Sequence, residues 1–258
     1  MIDRSFVMLS GIGPRKEKAL WENGIINWDD FSSADRLPGI GKQRMKNLQE
    51  SALKIRRRRD EANMKALYDL MPSRERWRLL GDWNDKYAAI DAESIRFGSS
   101  TKPICISIKR GERECITLIR GDDLCWRRLK NALDGVDFVV TFNGSSFDLP
   151  LLTQNGYDIG HIAHLDLRRY ALRAGLDGGL KLIERKIGLS RSREMEFATE
   201  EQVSYLWKIW EEKGSKNAID LLIRYNQLDA ESLVHIARYI YNHLSKTTIG
   251  EKKCTRYY

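Results

Sequence analysis

Hydrophobic and polar positions divide the chain into two parts with different periods. In residues 6–55, apolar side chains recur three or four positions apart on a basic background, which is typical of amphipathic helices. From residue 87 onward, short apolar runs indicate strands, and segments with helical spacing follow them. The predicted strands are residues 87–90, 102–109, 114–119, 136–142 and 161–166. The predicted helices are residues 122–133, 167–173, 179–187, 199–212 and 216–244.

This order of elements predicts a mixed α/β fold. Gly111 lies between the second and third runs as a turn residue, so the first three strands are expected to form an antiparallel meander. A helix, another buried strand and then mainly helices follow. The sequence therefore predicts a central mixed sheet flanked by helices, with a smaller all-α part in front of it.

Composition favours a nucleic-acid partner. The chain has 258 residues, of which 42% are hydrophobic, so it can build a sizeable core. Its net charge of +8 points to a polyanion. No apolar run is long enough to span a membrane and no signal-peptide pattern opens the sequence, so we expect a cytoplasmic protein. The four cysteines contain no Cys-x-x-Cys pair, which argues against a zinc site.

An internal repeat lies near the N-terminus. Leu-Ser-Gly-Ile-Gly at residues 9–13 is matched by Leu-Pro-Gly-Ile-Gly at residues 37–41, and a basic amphipathic pattern follows each. Two glycines around an isoleucine favour a tight turn whose amides point outward at a helix N-terminus, an arrangement that grips phosphate without reading sequence. These stretches resemble the helix-hairpin-helix family, in which such hairpins hold DNA backbones. The resemblance assigns backbone binding to Gly11, Gly13, Gly39, Gly41 and Lys42.

Two ordinary glycine-bearing helix connections are the alternative explanation of this repeat. Glu17 and Met45 occupy the position where the family usually has alanine. After the second copy, residues 42–70 are predicted to form one long helix that ends before Pro72. The arginine run at residues 56–59 fits either a solvated face or a stripe that binds the DNA backbone.

The first chemical motif is Asp91 and Glu93, directly after the predicted strand 87–90. Side chains two residues apart on a strand project to the same side, so these two carboxylates are expected to lie close together and to repel each other. Such a pair is costly unless a cation lies between its members, and oxygen ligands suit Mg²⁺ or Mn²⁺. An exposed acidic pair at a strand end is the ordinary alternative.

Two later motifs carry further acids. Gly144 permits a sharp turn after the fourth strand, and Asp148 then falls in the first turn of a helix, where a carboxylate is favoured. Tyr225 and Asp229 are four apart, so a helix places them on one face. Asp166 follows the fifth strand and is explained equally well as a helix cap, so it is left out of the ligand set. Each motif alone has an ordinary structural explanation.

Together the three motifs resemble the DEDDy exonucleases of the ribonuclease-H-like (DnaQ-like) superfamily, which include the proofreading domain of B-family DNA polymerases. Position 224 is arginine, where the histidine subtype of the family has histidine, so the tyrosine subtype fits. The resemblance spans residue 86 to about residue 244. It implies the following site residues: Asp91 and Glu93 as the first motif, Asn143, Phe147 and Asp148 as the second, and Tyr225 and Asp229 as the third.

The resemblance also implies a chemistry. The four carboxylates are expected to hold two divalent ions, Mg²⁺ or Mn²⁺, on the scissile phosphate. The hydroxyl of Tyr225 orients the attacking water, because a phenol is poorly suited to act as the base. Asn143 and Phe147 contact the terminal nucleotide. The implied activity is 3′–5′ hydrolysis of single-stranded DNA to nucleoside 5′-monophosphates.

Alternative functions remain open from the sequence. RNA could be the substrate, because nothing in the sequence separates ribose from deoxyribose; the repeat favours DNA. A structure-selective endonuclease and a non-catalytic DNA-binding protein are further alternatives, as are roles with replication or repair partners.

These motifs also predict the domain organisation. The predicted domains are a helix-hairpin-helix-like DNA-binding domain at residues 1–60, a helical connector at 61–84, an exonuclease domain at 85–245 and a tail at 246–258.

Overall fold

The computed structural model describes residues 1–81, 84–192, 195 and 199–249. This described part of the chain divides into two compact units, one of residues 1–81 and 241–249 and the other of residues 84–240. None of the described helices is both apolar enough and long enough to cross a membrane. The predicted tail at residues 246–258 is helical up to Ile249, and its remaining residues lie outside the described part.

The first unit consists of helices and turns around an aromatic cluster. Phe6, Trp28 and Phe31 contact one another with ring centroids 5.1 to 6.4 Å apart. Its helices are α1 (Pro14–Glu22), α2 (Trp28–Ser33), α3 (Lys42–Asp60) and α4 (Met64–Leu70), and its 3-10 helices are Ile2–Arg4, Phe6–Met8 and Ser73–Gly81.

The sequence repeat is also a repeat of local structure. In each copy the isoleucine amide donates to the leucine carbonyl three residues earlier, at 3.0 Å for Ile12 and 3.1 Å for Ile40. The first glycine has a positive φ, +73° at Gly11 and +66° at Gly39, in the left-handed region that favours glycine. The second glycine of each copy is the N-cap of the following helix.

A buried arginine in the first unit forms ion pairs with two glutamates. Arg78 donates to Glu17 at 2.7 Å and to Glu75 at 2.9 Å, and none of the three side chains is more than 7% exposed. Glu17 also accepts hydrogen bonds from the amides of Phe6 and Val7. Glu17, which replaces the alanine usual in the helix-hairpin-helix family, therefore anchors the N-terminal segment and neutralises a buried arginine.

The prediction of one helix over residues 42–70 was wrong. Helix α3 ends at Asp60, and Ala62 has a positive φ of +52°. The side chain of Asn63 accepts the amide of Ala66 and so caps a new helix, α4. Asparagine competes well for this capping role, which the apolar spacing does not reveal.

The second unit is a mixed sheet with helices. Its strands are β1 (Tyr87–Phe97), β2 (Ser100–Arg110), β3 (Ile116–Ile119), β4 (Phe138–Thr141) and β5 (Ala163–Asp166). Its helices are α5 (Trp126–Ala132), α6 (Asp148–Gln154), α7 (Leu167–Arg173), α8 (Leu180–Lys186), α9 (Glu200–Lys213) and α10 (Lys216–Ile249), the last of which ends in the first unit.

The strand order is β3-β2-β1-β4-β5. Strands β1, β2 and β3 pair antiparallel, whereas β4 runs parallel to both β1 and β5. The predicted meander and the mixed α/β class are therefore confirmed.

Several predicted element boundaries were wrong. The first strand does not end at Ile90: β1 continues to Phe97, because β2 pairs with it along its whole length. The helix expected from residue 122 begins at Trp126, and its N-cap is Cys125 rather than Asp122. Backbone pairing with a neighbouring strand thus extends β1 through polar positions that carry no apolar signal.

Two apolar layers cover the faces of the sheet. On one face, Ala88 and Ile90 of β1 belong to a buried cluster with Leu129 of α5 and Leu152 of α6. On the other face, Cys105 of β2 packs in a second cluster, which also contains these residues of α9 and α10: Val203, Trp207, Ile219, Leu222 and Tyr225. Alternation along β1 directs its odd-numbered residues to this second face.

Candidate active site

Three carboxylates meet on the second face of the sheet. Asp91 and Glu93 lie on β1, with Ser107 and Cys105 of β2 as their register partners, and Asp229 lies on α10. One oxygen of each carboxylate lies within 4.8 Å of the others. The two strand acids are half-buried and the helix acid is buried. The predicted same-side arrangement of the strand acids is therefore confirmed, although they lie within the strand and not at its end.

Asp148 lies beside this cluster and is held by the strand. Its Oδ1 accepts a hydrogen bond of 3.1 Å from the amide of Ala92, between the two strand acids. Parallel pairing of β1 with β4 stops at Ala89, so the Ala92 amide lies beyond the last paired residue and is available to a side chain. Asp148 is the first residue of α6, as predicted, and is 8% exposed.

The carboxylates raise one another's pKa. Burial raises the pKa of Asp91 well above its usual range, and Asp229, Asp148 and Glu93 raise it further. Burial raises the pKa of Asp148 to about 6, although the hydrogen bond from Ala92 opposes the rise. Burial also raises the pKa of Asp229. The site therefore concentrates negative charge that it does not balance by itself.

Arg191 is a cation in contact with this cluster. Its guanidinium forms ion pairs with Asp229 and with the buried Glu184 of α8, and its side chain is 6% exposed. It opposes the rise in the pKa of Asp229 and of Asp91. No sequence motif points to this residue, which lies between α8 and α9 in a segment without apolar periodicity.

Tyr225 and Asn226 lie on α10, one turn before Asp229. The amide nitrogen of Asn226 donates to Asp91 Oδ2 at 2.6 Å, a contact that no sequence motif predicts although Asn226 adjoins the predicted tyrosine. Tyr225 is 8% exposed and packs in the second apolar cluster, with Lys181 4.8 Å from its ring centre. Burial, and then Asp229 and Glu93, raise the pKa of its phenol, so the hydroxyl stays protonated at neutral pH.

The carboxylates open onto a cleft of about 1010 Å³. Asn143 and Phe147, the predicted nucleotide contacts, both line it, and Phe147 is 67% exposed despite its aromatic ring. Arg96 and Arg168 line it as well and supply positive charge. Tyr225 lies in the apolar cluster and is not among the described residues that line the cleft.

The loop that carries Asn143 and Phe147 is sharply bent. Asn143 has a positive φ of +63°, and a Cβ at Gly144 would lie 2.2 Å from the hydroxyl of Thr141. The same hydroxyl accepts the Gly144 amide at 3.1 Å. The requirement for glycine, predicted as a sharp turn, thus arises from its close approach to the end of β4.

Asp166 ties this loop to the end of β5. Its carboxylate accepts the amides of Asn143 at 2.8 Å, Ser145 at 3.2 Å and Arg168 at 3.1 Å. Burial tends to raise the pKa of Asp166, but hydrogen bonds from the Ser145 hydroxyl and from these amides lower it more, so the net shift is downward. The structure therefore supports the alternative of a helix cap for α7 and adds contacts to the loop.

This donor set fits a divalent cation. Its ligand atoms are carboxylate oxygens, which suit hard ions, and they converge within the reach of one ion. A cation between them would reduce the repulsion that raises the pKa of Asp91.

The glycines assigned to DNA binding lie in the first unit. Gly11, Gly13, Gly39, Gly41 and Lys42 are exposed. A Cβ at Gly11 would lie 2.0 Å from the guanidinium of Arg44, whereas the other three glycines face open space. Helix-hairpin-helix character and DNA binding stay predictions.

Comparisons with known proteins support the fold. Residues 118–241 match the family model RNase_H_2, described as the RNase_H superfamily. The mixed sheet and flanking helices of the second unit are consistent with a ribonuclease-H-like fold. The match contains Asp148, Tyr225 and Asp229 and begins after Asp91 and Glu93. The DEDDy subtype stays a prediction.

One solved structure is similar over part of its length. It is the family B DNA polymerase from the hyperthermophilic archaeon Pyrobaculum calidifontis, with 17% sequence identity and a TM-score of 0.45. The similarity covers 58% of this chain and 24% of that polymerase, so the chain spans about a quarter of its length. No curated protein matches the sequence.

Proposed function

We propose that this protein is a metal-dependent 3′–5′ exonuclease that hydrolyses single-stranded DNA and releases nucleoside 5′-monophosphates. One observation carries the proposal: the carboxylate oxygens of Asp91, Glu93 and Asp229 lie within 4.8 Å of one another beside a cleft. A cleft of about 1010 Å³ has room for more than one nucleotide.

In this proposal the four acids are metal ligands. Asp91, Glu93, Asp229 and Asp148 would hold two divalent cations, Mg²⁺ or Mn²⁺. When bound, such cations neutralise charge on the scissile phosphate and make water a better nucleophile. Asn226 and the Ala92 amide fix the side chains of Asp91 and Asp148, so two of the ligands are oriented before substrate arrives.

Tyr225 acts through its protonated hydroxyl. Its ring packs in the second apolar cluster and does not line the cleft among the described residues, so this role requires the hydroxyl to reach the cleft when substrate binds. Burial beside Asp229 and Glu93 keeps the phenol neutral, so it orients the attacking water by hydrogen bonding and does not remove a proton. Its spacing of one helical turn from Asp229 places ring and carboxylate on one face of α10.

The cleft supplies contacts to the end of the strand. The exposed ring of Phe147 offers a face on which a base can stack, and Asn143 offers an amide to the terminal nucleotide. Arg96 and Arg168 lie on the same cleft and attract the phosphates.

In the first unit, we propose that the paired glycine turns bind the DNA backbone. Both copies have exposed glycines and helix N-termini without a side-chain cap. Backbone amides at such ends attract phosphates.

The test uses 5′-labelled and 3′-labelled single strands of DNA and RNA with Mg²⁺ or Mn²⁺. The expected result is stepwise shortening of 5′-labelled DNA by the wild type and by the exposed control Asp134→Asn, and none by Asp91→Asn. Faster shortening of RNA would move the proposal to an exoribonuclease. Internal cuts would indicate an endonuclease, and intact strands in a metal-independent complex would refute the enzyme and leave a binding protein.

A further inference from the structure

Asp166 is a buried carboxylate. Among the described residues, its hydrogen bonds go to backbone amides and not to the acidic cluster. It is 7% exposed and lies at the end of β5, opposite Thr141 at the end of β4. Each of its two carboxylate oxygens accepts hydrogen bonds from the backbone. Oδ1 accepts them from the amides of Asn143 and Arg168, and Oδ2 accepts one from the amide of Ser145. One side chain therefore fixes the start of α7 and two points of the loop after β4.

That loop needs such an anchor. Asn143 has a positive φ of +63°, a region that most non-glycine residues avoid but that asparagine adopts more readily, and the hydrogen bond from its amide to Asp166 holds it there. The loop of residues 143–147 is short, and Asp148 follows it directly as the first residue of α6. A shift of the loop would move the two cleft residues Asn143 and Phe147, whereas Asp148 keeps its own tether to the Ala92 amide.

We propose that Asp166 is a positioning residue for substrate: it locks the loop of residues 143–147 so that Asn143 and Phe147 receive the terminal nucleotide. The inference rests on the proposed exonuclease function. It predicts that loss of the carboxylate impairs substrate binding more than turnover, because the metal-ligand acids are held by other contacts.

The principal variant is Asp166→Asn, which keeps the shape but replaces one acceptor oxygen by an NH₂ group that faces an amide donor. The matched control is Asp158→Asn, in which an exposed aspartate also accepts a backbone amide, that of Gly160. Ser145→Ala removes only the hydroxyl contact to Asp166 and serves if Asp166→Asn does not fold.

Two readouts are measured on the full chain. The first is KM and kcat on oligothymidylate with Mn²⁺, where Asp166→Asn is expected to raise KM about tenfold and to change kcat less than about threefold. Ser145→Ala is expected to raise KM roughly twofold, and the control not at all. A variant that merely folds less well would lose kcat at unchanged KM.

The second readout is amide hydrogen exchange across residues 142–147 without substrate. Exchange is expected to be at least about tenfold faster in Asp166→Asn than in wild type and Asp158→Asn. Unchanged exchange, or KM values equal to those of the control, would overturn the proposal. If the wild type cleaves no DNA, the exonuclease function fails, and exchange alone then decides whether Asp166 fixes the loop.

Discussion

Asp148→Asn is expected to stabilise the protein in metal-chelating buffer at pH 8. The substitution removes a negative charge from a buried cluster, and the amide oxygen of asparagine can still accept the Ala92 amide, which now binds Asp148 at 3.1 Å. The pKa of Asp148 is raised from 3.8 to about 6, chiefly by burial and against the hydrogen bond from Ala92. The charged carboxylate therefore costs the folded state free energy that a neutral amide does not.

The size of the stabilisation follows from the rise in the pKa of Asp148. Each pH unit of pKa difference corresponds to about 1.4 kcal/mol, so a rise of about two units sets an upper limit of about 3 kcal/mol. Because the folded-state pKa lies above the unfolded-state value, the penalty is absent below about pH 4, grows as pH rises towards 6 and is complete above it. At roughly 2–4 °C per kcal/mol, this limit corresponds to a rise in Tm of at most about 12 °C at pH 8.

The assay is thermal unfolding with EDTA at pH 4 and pH 8, with the exposed Asp134→Asn as control. The variant is expected to gain stability at pH 8 only, and the control at neither pH. Added Mn²⁺ is expected to raise the Tm of wild type more than that of Asp148→Asn. A lower Tm for Asp148→Asn at pH 8, or an equal gain at both values of pH, would refute the electrostatic reasoning.

Two further substitutions test other parts of the structure. Tyr225→Phe is expected to lower kcat roughly 100-fold while Mn²⁺ affinity measured by calorimetry stays within about twofold, because the hydroxyl acts on water and Asp229 is untouched; unchanged kcat would contradict this role. Arg78→Met leaves Glu17 and Glu75 buried without their cation and is expected to lower the free energy of unfolding in urea by about 3–5 kcal/mol; a loss below about 1 kcal/mol would contradict it.

Parts of the acidic cluster could be predicted because they depend on residues that are only a few positions apart in the sequence. The period of two along a strand places Asp91 and Glu93 on one side whether the strand ends at Ile90 or continues, so the boundary error did not affect the motif. The four-residue spacing of Tyr225 and Asp229 likewise determines their common face once α10 forms. The meander followed from apolar runs separated by a turn glycine.

The missed contacts depend on residues that are far apart in the chain. Arg191 reaches Asp229, and Arg78 reaches Glu17, through tertiary packing that no periodicity encodes. A helix cap was one of two explanations of Asp166 that the sequence left open, but its bond from the Asn143 amide requires β4 and β5 to end side by side. Such contacts are therefore visible only when the sheet order is known.

The most direct test of the central claim is the identity of the first product. A single-stranded oligodeoxynucleotide carries ³²P in its last phosphodiester bond, and the products with Mn²⁺ are separated by thin-layer chromatography. With wild type, the label is expected to appear first as a nucleoside 5′-monophosphate, and with Asp91→Asn it is not. Label that first appears in a longer oligonucleotide or as a 3′-monophosphate, or that is released equally by both proteins, would contradict the central claim.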